Sequence, residues 1–243
     1  LLTLRGAWDR VREDPILKFM VVAVTAYGMS TLEGPLLSTK FFNSLSHFTD
    51  WTIAHVHVGG LGWNGFLTFG MIYWLVPRLF GTKLYSKSLA NAHFWIGTLG
   101  MVFYAVPLYF AGFTQSLMWK QFTPDGYLVY KNFLDTVLQI KYAYWLRGLG
   151  GTLYLAGAIM MVYNVWRTVA SGKLIANEEA EAMPLVKVET EPEVGYWHRW
   201  IERRPVQMLV LSFVLVAIGG VIEMVPTFLV KSNIPTIASV KPY

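Results

Sequence analysis

Five long apolar runs, separated by charged stretches, constrain this chain more than any other feature. They fall at about Ile16–Ser38, Trp51–Phe80, Leu89–Phe113, Ala143–Trp166 and Pro205–Val230. About 20 mainly apolar residues suffice for a helix to cross the hydrocarbon core of a bilayer. The expected fold is therefore all-α: an integral membrane helical bundle with five transmembrane helices. Composition agrees, with 54% hydrophobic and only 14% charged residues, an excess of apolar side chains over an average soluble domain. Pro107 should kink the third run and Pro35 the end of the first, because each removes an intrahelical donor.

The formal charge of +5 could suggest nucleic acid, but the basic residues sit between apolar runs, where they set membrane topology. Arg5, Arg10, Arg12 and Lys18 precede or open the first run, and Arg78, Lys83 and Lys87 follow the second. Arg167, Lys173, Lys187, Arg199, Arg203 and Arg204 follow the fourth. The opposite side carries fewer, namely Lys40, Lys120, Lys131, Lys141, Lys231 and Lys241. The expected partner is thus membrane lipid and not nucleic acid, with the N-terminus and the long linker cytoplasmic and the C-terminus outside. Residues 1–172 read as a four-helix unit and 173–202 as an acidic, proline-containing tether (Asn177-Glu178-Glu179-Ala180-Glu181, Glu189-Thr190-Glu191-Pro192-Glu193). Residues 203–243 then carry a single anchor helix. No secretory signal is read ahead of the first run, and the missing initiator Met suggests a piece of a longer protein. With no cysteine in the chain, thiolate metal sites, disulfides and CxxCH haem attachment are excluded within it.

An ionisable residue inside an apolar span marks a functional site by default, and the second run holds two, His55 and His57. Helical positions i and i+2 differ by roughly 200° in azimuth, so the two imidazoles cannot chelate one ion. They can reach two partners at one depth. Imidazole is an axial ligand of haem iron, and Gly59, Gly60, Gly62 and Gly65 leave little bulk on this helix. The residues point to one helix holding two haems. Glu33 lies at a similar depth on the first run and could accept the Nδ1–H of a metal-bound imidazole; the competing reading is a carboxylate that reaches water. Arg147, shallow in the fourth run, could pair with haem propionates or with lipid headgroups. His47, in the outer loop, could meet the same propionates or be solvated. His93 reads as a packing or interfacial histidine, His198 as exposed, and Glu223 as an inter-helix partner. Trp51, Trp119, Tyr142, Tyr144 and Trp166 read as interfacial aromatic belts.

Several segments carry a resemblance: Glu33-Gly34-Pro35, Asn43-Ser44-Leu45-Ser46-His47-Phe48-Thr49-Asp50-Trp51 and Ala54-His55-Val56-His57-Val58-Gly59. They resemble the last four of twelve helices in the catalytic subunit of cbb3-type cytochrome c oxidases, the C family of haem-copper oxygen reductases. Gly219-Gly220-Val221-Ile222-Glu223-Met224-Val225-Pro226 and Val240-Lys241-Pro242-Tyr243 resemble the membrane anchor of that enzyme's monohaem cytochrome c subunit. The resemblance implies a terminal oxidase of the bacterial cytoplasmic membrane. Such an enzyme reduces O2 to water with electrons from cytochrome c, coupled to proton translocation.

By the same resemblance, His55 is the proximal ligand of the high-spin haem b and His57 one axial ligand of the low-spin haem b. Glu33 is the acidic residue that hydrogen-bonds the proximal histidine, and His47 lies near the propionates. The copper ligands, the second low-spin ligand and a cross-linked tyrosine belong to helices outside this chain, so it could act only with those N-terminal helices and with the monohaem and dihaem cytochrome c subunits. The related alternative is nitric oxide reductase, with iron in place of copper. Two readings from other classes are an electron-relaying membrane cytochrome b and a transporter with buried histidines.

Overall fold

The computed structural model describes residues 2–175 and 204–229. The chain divides into two compact units, Leu1–Pro184 and Leu185–Tyr243. After a short helical turn, Arg10–Glu13, the first unit contains α1 (Pro15–Ser38) and α2 (Lys40–Ser46). It continues with α3 (Asp50–His57), a π-helical segment (Val58–Gly65), α4 (Phe66–Leu79), α5 (Lys87–Trp119) and α6 (Phe133–Ser171). The second unit contributes α7 (Pro205–Leu229), none of whose described side chains is buried. The chain is an all-α, multi-pass membrane protein. Among the described residues, four unbroken helices, α1, α5, α6 and α7, are long and apolar enough to cross a bilayer. The remaining span is α3, the π segment and α4 read as one rod. Its backbone stays helical through both junctions, and the Val58 N–H already bonds the Ala54 and His55 carbonyls.

Short polar side chains set where the helices start. Asp14 accepts from the Ile16 N–H at 2.8 Å with Pro15 in the first turn, and Ser86 accepts from Leu89 at 3.1 Å. Thr49 accepts from Trp51 at 3.2 Å and Asn132 from Leu134 at 3.1 Å. Each satisfies a backbone donor that the helix itself leaves unpaired. Pro35, Pro77 and Pro107 all lie inside helices that continue through them. Helices α5 and α6 extend beyond the apolar runs at both ends, because polar residues add turns outside the hydrocarbon without breaking the backbone pattern.

The buried core forms at three levels. Phe19, Ala23, Phe66, Tyr73, Ala90 and Phe94 fill one end of the bundle; Ala26, Val58 and Ala105 form a thin middle layer; Ala111, Ile140 and Ala143 close the other end. Small residues in the middle bring helices close there. A Cβ added at Gly62 would come within 2.9 Å of the Ala26 Cβ and 2.7 Å of the Met101 sulfur. A Cβ at Gly112 would strike the Trp51 backbone, so α5 lies directly against the first turn of α3. Close approach through small residues is how helices pack where no hydrophobic force separates protein from lipid. Large apolar side chains instead cover the outer faces, among them Leu32, Trp95, Phe110, Trp145 and Leu155, each at least 59% exposed.

Candidate functional site

Residue Phe48 turns the chain from α2 into α3 with φ 64°, a left-handed conformation unusual for any residue with a Cβ. Thr49 then caps α3, which presents both histidines within its eight residues. The rod changes to π-helical winding at Val58, immediately after His57, and such segments often mark functional positions.

The two imidazoles are held by different neighbours. His55 Nδ1 lies 3.3 Å from Glu33 Oε2 on α1, and the two side chains are only 21% and 14% exposed. His57 Nδ1 lies 2.7 Å from the Ile53 carbonyl, one turn back on its own helix. A carbonyl only accepts, so the His57 proton sits on Nδ1; facing a carboxylate, the His55 proton sits there too. Each ring thus keeps Nε2 as its lone-pair nitrogen. His55 Nε2 makes no hydrogen bond among the described residues. His57 Nε2 has the Tyr104 hydroxyl at 3.4 Å, with ring centroids 4.8 Å apart, too long for a well-formed bond. An imidazole fixed at one nitrogen and open at the other is the usual arrangement of a metal-ligating histidine. Beside the His55 ring, a Cβ placed on Gly34 would meet its Cε1 at 3.8 Å. That is an ordinary van der Waals distance, so the ring simply packs beside the α1 backbone there. These features fit one haem iron on each imidazole, on opposite sides of α3.

Glu33 holds more than His55. Trp51 Nε1 donates to its Oε1 at 2.7 Å, and the Tyr109 hydroxyl donates to its Oε2 at 2.5 Å. Trp51 is 7% exposed, packed against Phe113 with ring centroids 4.4 Å apart. This corrects the belt expectation, since Trp51 is a buried donor to the site. Tyr144 departs from that expectation as well, because its hydroxyl donates to Asp50 Oδ2 at 2.8 Å. Asp50 also accepts from Gln115 Nε2 at 3.1 Å, while Gln115 Oε1 takes the Asp50 N–H at 2.6 Å. Trp119 donates to Thr136 at 3.2 Å, whereas Tyr142 and Trp166 are exposed as a belt would have them. Tyr109 and Tyr104 escaped the sequence reading because nothing marks two tyrosines out of thirteen.

The remaining polar positions are more scattered. Arg147 lies over the Tyr144 ring at 4.6 Å, which links it to the Asp50 cluster rather than to Glu33. His47 is exposed, with its ring against that of Phe48. His93 is fully buried among Phe19, Phe69 and Tyr73, with Nδ1 3.0 Å from the Tyr73 hydroxyl. Its role there is packing, not interfacial. Among the described residues, no group of three or more His, Asp or Glu gathers around a metal position. Residues 176–202 of the tether, His198 among them, and the Glu223 side chain lie outside the described residues.

Comparison with known proteins decides the family. Residues 1–153 match the family described as Cytochrome C and Quinol oxidase polypeptide I. The chain belongs to that family. Residues 198–243 match a second family, Cytochrome C oxidase, mono-heme subunit/FixO. One polypeptide therefore joins an oxidase subunit I segment to a FixO-like segment.

"Cytochrome c oxidase subunit 1" of Rhodobacter capsulatus is 52% identical over 73% of this chain and 33% of its own length. "Cbb3-type cytochrome c oxidase subunit CcoN1" of Stutzerimonas stutzeri is 45% identical over 71% of the chain and 36% of its own length. A nitric oxide reductase polypeptide of the same organism is 28% identical over 58% of the chain and 30% of its own length. The chain spans about a third of the length of the curated relatives it matches. The chain is thus a subunit I segment of the cbb3 type, and membership of this oxidase family implies haem as the cofactor of the whole protein.

Proposed function

We propose that this chain forms part of a cbb3-type terminal oxidase that reduces O2 to water with electrons from cytochrome c and moves protons across the membrane. His55 serves as the proximal ligand of the high-spin haem b and His57 as one axial ligand of the low-spin haem b. The observation that carries this reading is the pair of imidazoles, each fixed through Nδ1, with Nε2 unbonded in His55 and facing only the Tyr104 hydroxyl, at 3.4 Å, in His57. When bound, the two haems supply the redox chemistry. Copper belongs to ligands on helices outside this chain. The greater identity to cytochrome c oxidase subunits than to nitric oxide reductase, 52% against 28%, favours oxygen as the substrate.

The chain's own residues make the two ligands unequal. Glu33 offers an anion to the Nδ1–H of His55, which makes Nε2 a stronger electron donor. Ile53 offers only a neutral carbonyl to His57. The electron-rich ligand thus falls at the oxygen-reactive iron and the ordinary one at the transfer iron. Because both histidines stand on one helix, two residues apart, their spacing is fixed by covalent structure. Arg147 and His47 are proposed to meet haem propionates near the outer surface. The working assembly includes the N-terminal helices of the catalytic subunit and the monohaem and dihaem cytochrome c subunits. It lies in a bacterial cytoplasmic membrane, with the N-terminus and tether cytoplasmic and the C-terminus periplasmic.

The test is a pair of variants in the intact complex. His57→Ala should remove the low-spin haem spectrum and leave CO binding by the reduced high-spin haem. His55→Ala should remove CO binding. Normal spectra and CO reactivity in both variants would refute the assignment.

A further inference from the structure

Glu33 Oε2 is shared unequally. It takes the Tyr109 hydroxyl at 2.5 Å and the His55 Nδ1–H at 3.3 Å, while Trp51 takes Oε1 at 2.7 Å. An O–H···O⁻ bond of the first length belongs to the short, charge-assisted class. The histidine bond lies beyond the ordinary N–H···O range of 2.7–3.2 Å. A carboxylate has about four lone-pair positions, so three donors fit, but charge drawn toward one donor is withheld from the others. The closest donor does not come from the histidine's own helix or from the helix of Glu33. It comes from α5, next to the site yet not bonded to either imidazole.

We propose that Tyr109 is a positioning residue that sets how much negative charge Glu33 lends to His55, and so how readily the iron held by His55 is reduced. The inference rests on the reading of His55 as a haem ligand. With Tyr109 in place, the shared oxygen is partly neutralised and the imidazole keeps its proton more fully. Without the hydroxyl, Glu33 closes on His55, the imidazole gains imidazolate character, and the ferric form of the iron is favoured. Trp51 acts in the same sense through the other oxygen and more weakly, because that oxygen does not face the ring.

The experiment uses the whole purified complex with haem loaded. The readouts are redox titration of the high-spin haem and the iron–histidine stretching frequency of its ferrous form. Tyr109→Phe is expected to shift the equilibrium roughly three- to tenfold toward the oxidised iron, tenfold being about 59 mV for one electron, and to raise the stretching frequency. Glu33→Gln, which removes the charge itself, should move both readouts the opposite way. If Glu33→Gln moves them and Tyr109→Phe does not, the tuning role of Tyr109 is overturned while the ligand assignment stands. If neither moves them in haem-loaded protein, the ligand assignment falls and the tuning role with it. Should Tyr109→Phe fail to load haem, Trp51→Phe takes its place: a smaller shift in the same direction supports the proposal, and unchanged readouts overturn it.

Discussion

At Glu33 on α1 a single side chain gathers three donors from two other helices: Trp51 and His55 on α3 and Tyr109 on α5. The pairing with His55 was legible from the sequence because depth along two antiparallel helices can be counted from their ends. The other two donors were not. A tryptophan at the start of an apolar run has the same composition whether it faces lipid headgroups or a buried carboxylate, and only the close passage of α5 at Gly112 turns Trp51 inward. Phe48 was equally hidden, since left-handed backbone leaves no trace in sequence when glycine is absent. Its ring is 86% exposed, so little packing opposes relief of the strain. Phe48→Gly should raise the stability of the complex by up to about 1 kcal/mol, the left-handed penalty less the added freedom of the unfolded chain. The check is a higher thermal midpoint in detergent.

At the scale of elements, the apolar runs located the spans, since hydrophobicity is what a bilayer reads, and missed chiefly the start of α6 at Phe133, well ahead of Ala143. Hydropathy did not reveal the break in winding at Val58–Gly65, because a window average counts apolar residues and is blind to how the backbone is wound. The segment has its own support. Tyr154 on α6 donates to the Leu61 carbonyl at 3.0 Å, and Asn64 Nδ2 reaches the Gly59 carbonyl at 3.5 Å. Tyr154→Phe should cost about 1 kcal/mol, seen as a lower thermal midpoint with haem content kept. Gly62→Leu is expected to do more, because its side chain must part α1 from the rod where Ala26 offers no flexible atom to move. Haem per polypeptide after purification should fall severalfold, with Gly28→Ala as the tolerated control, since a Cβ there meets nothing.

For the whole molecule, the bundle was legible because length and composition alone admit few architectures in lipid. Its orientation rests on the distribution of Lys and Arg, and because these 243 residues contain no cysteine, a single introduced thiol is the one reactive position within them. Single variants Lys83→Cys and Asp125→Cys, both at exposed loop positions, should react with a membrane-impermeant maleimide from opposite sides. In intact cells Asp125→Cys should be labelled and Lys83→Cys protected until lysis; the reverse pattern would invert the topology.

The wide turn beneath His57 has one more consequence. A residue contributes about 100° of rotation along an α-helix, so removing one glycine from the π stretch would let that stretch tighten while the rod below swings by about that angle. The imidazoles would keep their places, yet Phe66 and Tyr73 would leave the aromatic cluster they share with Phe19. The slack turn therefore works as a phase adjuster, letting one continuous rod satisfy the histidine end and the aromatic end at once.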